Sequence, residues 1–134
     1  MSFLKLFGIS VLVFFVIDII WLALISRNLY QSQIGFLMKE KVNWAAAIIF
    51  YFIFIAGMTY LILMPSVEHN YSYLRIMITG AVFGLVCYAT YDLTNLATLK
   101  DWPLKITIID LIWGTTLGSV TSLITIYLYK LITK

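Results

Sequence analysis

Four apolar runs, each of 20 residues or more, set the terms on which this chain can fold: residues 6–26, 44–64, 74–93 and 104–129. A helix needs about 20 mostly apolar residues to cross the hydrocarbon of a bilayer. A helix also satisfies its own backbone there, which an open strand cannot. The expectation is an all-α fold, a four-helix transmembrane bundle making one integral membrane domain over residues 1–134. Composition agrees. Hydrophobic residues make up 63% of the 134 positions and charged ones 11%, against about 45–50% and about 25% in ordinary soluble domains. A fold of this size buries only about two-thirds of the surface its unfolded chain exposes, so lipid must cover the rest. Residues 1–24 have the Lys and the apolar stretch of a signal peptide. Asp18 and Trp21 stand where a small-residue cleavage site would be, and the segment reads as a retained span.

The breaks between the runs carry turn and interface chemistry. Residues 27–41 read as a polar connection, with Asn28, Gln31, Gln33, Gly35, Lys39 and Glu40. Pro65-Ser66 ends the second run, and Glu68-His69-Asn70 continues that short loop. Lys100-Asp101-Trp102-Pro103 marks the third connection, with Pro103 where the first turn of a helix tolerates it. The formal charge of +3 is scattered, without the basic stripe of a nucleic-acid binder, so no nucleic-acid partner is expected. Arg27, Lys39, Lys41, Lys100 and Lys105 flank the first and third connections, against Lys5, Arg75, Lys130 and Lys134 on the opposite side. Five against four places the first and third connections on the cytoplasmic side by the narrowest margin. Cys87 is the single cysteine, which excludes a disulfide framework and a thiolate metal site.

The third and fourth runs contain Gly80-Ala-Val-Phe-Gly84 and Gly114-Thr-Thr-Leu-Gly118. Glycines four apart share a helix face and let two backbones approach. Folding the chain back about Asp101 sets Gly84 level with Gly118, Gly80 beside Ser122, Tyr88 beside Gly114, and Asp92 beside Asp110. Register therefore predicts a tight antiparallel hairpin with two carboxylates facing each other near its closed end.

Asp18, Asp92 and Asp110 lie in or at the ends of apolar runs, where each charged Asp costs about 2.5–3.5 kcal/mol at mid-membrane. Asp18 is about 12 Å of helix from the first connection and Asp110 about 9 Å from the third, so all three belong to one half of the membrane. Trp21, Trp44, Trp102 and Trp113 fall in the same half. Trp44 and Trp102 read as belt residues at headgroup level. Trp21 and Trp113 each follow an Asp by three residues, in Asp18-Ile-Ile-Trp21 and Asp110-Leu-Ile-Trp113, and this spacing puts carboxylate and indole on one face. The two words lie on antiparallel helices, the arrangement an inverted internal repeat would leave. Tyr88, Tyr91, Asp92, Asn95 and Lys100 form the densest polar stretch, able to hydrogen-bond or pair with a buried carboxylate.

These residues exclude more chemistry than they select. His69, the one histidine, is expected in the second connection, away from the carboxylates, so a Ser–His–Asp or Cys–His arrangement has no support. Zinc lacks His or Cys ligands. Oxygen ligands from Asp92, Asp110 and Asn95 would suit Mg2+ or a similar hard cation, although no cofactor is called for.

The words Asp18-x-x-Trp21, Phe50-Tyr51 followed by Gly57, Tyr88-Ala-Thr-Tyr-Asp-Leu-Thr-Asn-x-Ala-Thr-Leu-Lys-Asp-Trp-Pro103 and Asp110-x-x-Trp113-Gly114 resemble a family of small bacterial membrane proteins, domain of unknown function number 2177. The resemblance spans essentially the whole chain. It implies a multi-pass protein of the bacterial inner membrane with four spans, and supplies neither reaction nor substrate. Three readings follow from the residues. The buried site binds or transports a small amphiphile or cation, with Asp18, Trp21, Tyr88, Tyr91, Asp92, Asn95, Lys100, Asp110 and Trp113 as its binding or proton-linked groups. Alternatively, the polar stripe meets a second copy of the chain or a membrane partner protein, as in an accessory or assembly subunit. In the third reading a carboxylate is the acid or base of an intramembrane enzyme acting on a lipid or isoprenoid.

Overall fold

The computed structural model describes residues 2–134, which form four long helices apolar enough to span a membrane: α1, Ser2–Leu37; α2, Trp44–Glu68; α3, Tyr73–Thr98; and α4, Leu104–Ile132. Their ends follow local chemistry. The Asn43 side chain accepts a hydrogen bond from the Ala46 N–H at 3.2 Å and caps α2. The Ser72 hydroxyl does the same for the Arg75 N–H at the start of α3. Each supplies an acceptor to a backbone donor that the helix itself leaves unpaired. Asn70 and Asp101, in the second and third connections, adopt positive φ of 50° and 62°, a conformation that short polar side chains tolerate.

The first connection is shorter than the sequence reading made it. Helix α1 runs on through Arg27 to Leu37, leaving only residues 38–43 to cross to α2. A polar stretch ends a membrane span without ending a helix. Leu29, Tyr30, Gln33 and Ile34 are partly buried while Arg27, Asn28, Gln31 and Ser32 are exposed, the two-faced pattern of an amphipathic helix. At 36 residues, α1 is about 54 Å long, well beyond the roughly 30 Å of hydrocarbon.

Two helices widen locally. Leu22–Ser26 of α1 and Thr59–Leu63 of α2 form π-type turns. The second has an evident cause in Pro65, which lacks an N–H and whose ring clashes with the carbonyl four residues back. The Met64 N–H reaches back five residues to the Thr59 carbonyl instead.

Helices α3 and α4 form the closest pair, and α1 packs along α4. The second half of α2 inserts among α1, α3 and α4. Its first half rests on α1, and its backbone stands off from α3. Aromatic rings span that gap: Phe54 meets Phe83 at 5.2 Å and Tyr88 at 6.5 Å between centroids. The core is therefore layered along the bundle. An aliphatic cluster of Leu6, Met58, Ile62, Leu63, Ile76 and Ile126 fills the end near the second connection. Phe14, Phe54, Ile55 and Leu117 fill the middle. Beyond them, toward the first and third connections, the interior becomes polar.

Candidate functional site: a buried carboxylate cluster

The α3–α4 seam is made by absence of side chains. A Cβ placed on Gly80 would lie 2.4 Å from the Gly118 carbonyl oxygen and 2.8 Å from the Ser122 hydroxyl. One on Gly84 would lie 1.9 Å from the Gly114 oxygen, and one on Gly114 only 2.3 Å from the Tyr88 ring. The expected pairings of Gly80 with Ser122 and of Tyr88 with Gly114 are thus met in contact, and Gly84 lies against both Gly114 and Gly118. Two turns along the same seam, Asp92 and Asp110 face each other within hydrogen-bonding reach.

The two carboxylates differ in their surroundings. Asp110 accepts a hydrogen bond at Oδ1 from the Tyr30 hydroxyl, and the Trp21 indole lies against that same hydroxyl. Asp92 is wholly buried, and among the described residues neither of its carboxylate oxygens has a hydrogen-bond donor. Its backbone carbonyl accepts from the Thr107 hydroxyl at 3.4 Å, and Thr107 accepts from Trp102 Nε1 at 3.0 Å. That contact tucks Trp102 into the closed end of the hairpin, 8% exposed, rather than in the lipid-facing belt expected of it. Trp44, 66% exposed, faces outward.

Asp18 reaches the cluster from α1 and accepts a hydrogen bond at Oδ2 from the Tyr51 hydroxyl of α2 at 3.2 Å. Tyr88 lies centrally, with Asp18, Tyr51, Asp110 and Asp92 around it. The two Asp-x-x-Trp words meet physically: Trp21 and Trp113 stack with centroids 4.2 Å apart and planes 8° from parallel. This stack closes the α1–α4 side of the site. Between α2 and α3 the site opens into a cleft of about 360 Å3 lined by Ala47, Phe50, Tyr51, Cys87, Tyr88, Tyr91 and Asp110.

Tyr91 sits at the rim, half exposed, its ring edge-on to Trp102 at 5.8 Å, with Asn95 beside it. Lys100 is exposed in the turn after α3 and is not among the groups around the carboxylates. No cationic side chain acts on Asp18, Asp92 or Asp110 among the described residues. Nor do three His, Cys, Asp or Glu residues converge there as a ligand set for a metal ion, again among the described residues.

Tyr30 and Tyr51 are the polar groups that the sequence reading left out of the site. Twelve residues of regular α-helix would turn Tyr30 about 120° away from the face of Asp18. The extra residue taken up by the wide turn at Leu22–Ser26 brings it back to within about 20°. In the sequence Tyr51 stands out only through the Phe50-Tyr51 word of the family resemblance.

A family described as a predicted membrane protein, DUF2177, matches residues 3–127. The chain belongs to that family. The match takes in every residue of the carboxylate cluster, from Asp18 to Trp113. No curated protein and no solved structure matches the chain.

Proposed function

We propose that this membrane protein binds a small cation or cationic amphiphile at the Asp92–Asp110 pair, in the bacterial inner membrane that its family resemblance implies. The observation that carries the reading is Asp92: a wholly buried carboxylate with both oxygens lacking a donor, set against a second carboxylate. Two adjacent negative charges in a low-dielectric seam repel each other, and burial removes the water that would stabilise them. Such a pair needs a shared proton or a bound cation. Ordinary structural carboxylates meet this need with a lysine, an arginine or several backbone N–H groups. This one has none of them among the described residues, which favours an exchangeable occupant over a fixed bridge.

The surrounding groups have roles in that scheme. Tyr30 donates to Asp110 and orients it, and Tyr51 donates to Asp18. Tyr88 stands between the two with its hydroxyl able to donate to either side. Exchanging a proton for the cation at the pair would couple occupancy to pH.

The test is native mass spectrometry of gently extracted protein, comparing the parent with Asp92→Asn and Asp110→Asn. Asparagine keeps the shape of the side chain and removes its ionisation. The parent carries a positively charged small molecule, and both variants lose it while remaining folded. Parent and variants with the same occupancy would return the cluster to a purely structural role.

A further inference from the structure

We infer that the occupant is a lipophilic organic cation, which reaches the carboxylate pair sideways from the bilayer through the cleft between α2 and α3. This rests on the binding reading above and narrows its ligand class. Four features of the cleft point to it.

The first is place. The cleft lies between the first half of α2 and the last part of α3, where the two backbones stand apart. Every residue that lines it belongs to a membrane-spanning helix, and none comes from the connections. Phe50 and Tyr91, both about half exposed, flank the mouth on the lipid-facing surface. The second is lining. Apart from Asp110, the walls are Ala47, Phe50, Tyr51, Cys87, Tyr88 and Tyr91, so an inorganic ion would find only one carboxylate and three tyrosine hydroxyls, in a mainly apolar wall, to replace its hydration shell. The third is size. A volume of about 360 Å3 is far above the roughly 30 Å3 share of one water; other surface hollows are as large, and a buried carboxylate in the wall sets this one apart from them. The fourth is charge. Four aromatic rings, of Phe50, Tyr51, Tyr88 and Tyr91, line the way to Asp110, and aromatic rings attract organic cations. An alkyl- or aryl-substituted ammonium or phosphonium satisfies the apolar walls and the charged end together.

The probe is tetraphenylphosphonium, with tetraphenylborate as its anion of matched shape. Binding to protein in lipid nanodiscs is measured by equilibrium dialysis, with empty nanodiscs subtracted. Tetraphenylphosphonium binds saturably and tetraphenylborate does not. Asp92→Asn and Asp110→Asn weaken the phosphonium at least tenfold. Ala47→Trp fills the mouth from α2 and Cys87→Phe from α3, so a folding failure of one leaves the other to report. Each weakens binding while its melting temperature stays near the parent's. Equal binding of the borate would reduce the cleft to a greasy surface, and full binding by both filled variants would put the access route elsewhere. If the phosphonium fails to bind while a molecule remains held in an Asp92- and Asp110-dependent way in mass spectrometry, the organic-cation inference falls and the binding reading stands. If nothing bound depends on either Asp, both fall.

Discussion

Replacing Gly84 with alanine adds one methyl group at the closest point of the α3–α4 seam. The new Cβ would lie 1.9 Å from the Gly114 carbonyl oxygen and 2.8 Å from its carbonyl carbon. Both are backbone atoms, so no change of rotamer can clear them. Ordinary contact begins at 3.4 Å, and the helices must part by up to about 1.5 Å to reach it, forfeiting contacts along the whole seam. Overpacking of this kind costs about 1–3 kcal/mol. Alanine also favours a helix over glycine by roughly 0.5–1 kcal/mol, which must be separated from the clash. Gly8→Ala isolates that gain, because among the described residues nothing lies within 4 Å of a Cβ there. Unfolding in mixed micelles, followed by circular dichroism, should place Gly84→Ala about 1–3 kcal/mol below Gly8→Ala. Gly118→Ala, whose Cβ would be 2.2 Å from the Gly80 oxygen, should behave the same way. If all three variants unfold together, the seam is not closed by backbone contact, and the facing of Asp92 and Asp110 loses its mechanical support.

Tyr30→Phe and Tyr51→Phe each remove one donor from a carboxylate, and each should cost about 1.5–3 kcal/mol in the same unfolding assay, the range for hydrogen bonds to charged groups. A double-mutant cycle on Trp21→Ala and Trp113→Ala should give a coupling of about 0.5–1.5 kcal/mol for the stacked pair; a coupling near zero would mean the rings do not stack in the folded protein. In a Cys87→Ser background, single cysteines at Glu40 and Lys100 should label from one side of the membrane and one at Asn70 from the other. Labelling of all three from a single side would contradict the four-helix traverse.

The hairpin could be read from the sequence because both helices are regular between Gly80 and Ser122, apart from the single turn at residues 99–103. Counting back from Asp101 needed only the helical period, and it set Tyr88 beside Gly114 as found. The paired Asp-x-x-Trp words were equally visible, though not that their indoles would stack face to face across α1 and α4. What could not be read depended on departures from regularity. The wide turn at Leu22–Ser26 carries no proline to announce it, and it changes the phase of everything after it. Tyr30 therefore sat in what read as a polar loop, when it is a helical residue aimed at Asp110. Trp102 was misplaced for a related reason: its position at a span end suggests an interface, but the turn at Asp101 directs its indole inward to Thr107. The separation of α2 from α3 depends on bulky rings meeting across a gap, a tertiary effect with no local sequence signal.

On the function proposed above, the Asp92–Asp110 pair exchanges a proton for a cation. Infrared difference spectroscopy on the purified protein, recorded before and after saturation with tetraphenylphosphonium at constant pH, reads that exchange directly. A protonated-carboxyl band should disappear as the cation binds, and the same band should be missing from both Asp92→Asn and Asp110→Asn. Saturable binding with no change in any carboxyl band, or a band that survives both substitutions, would contradict it.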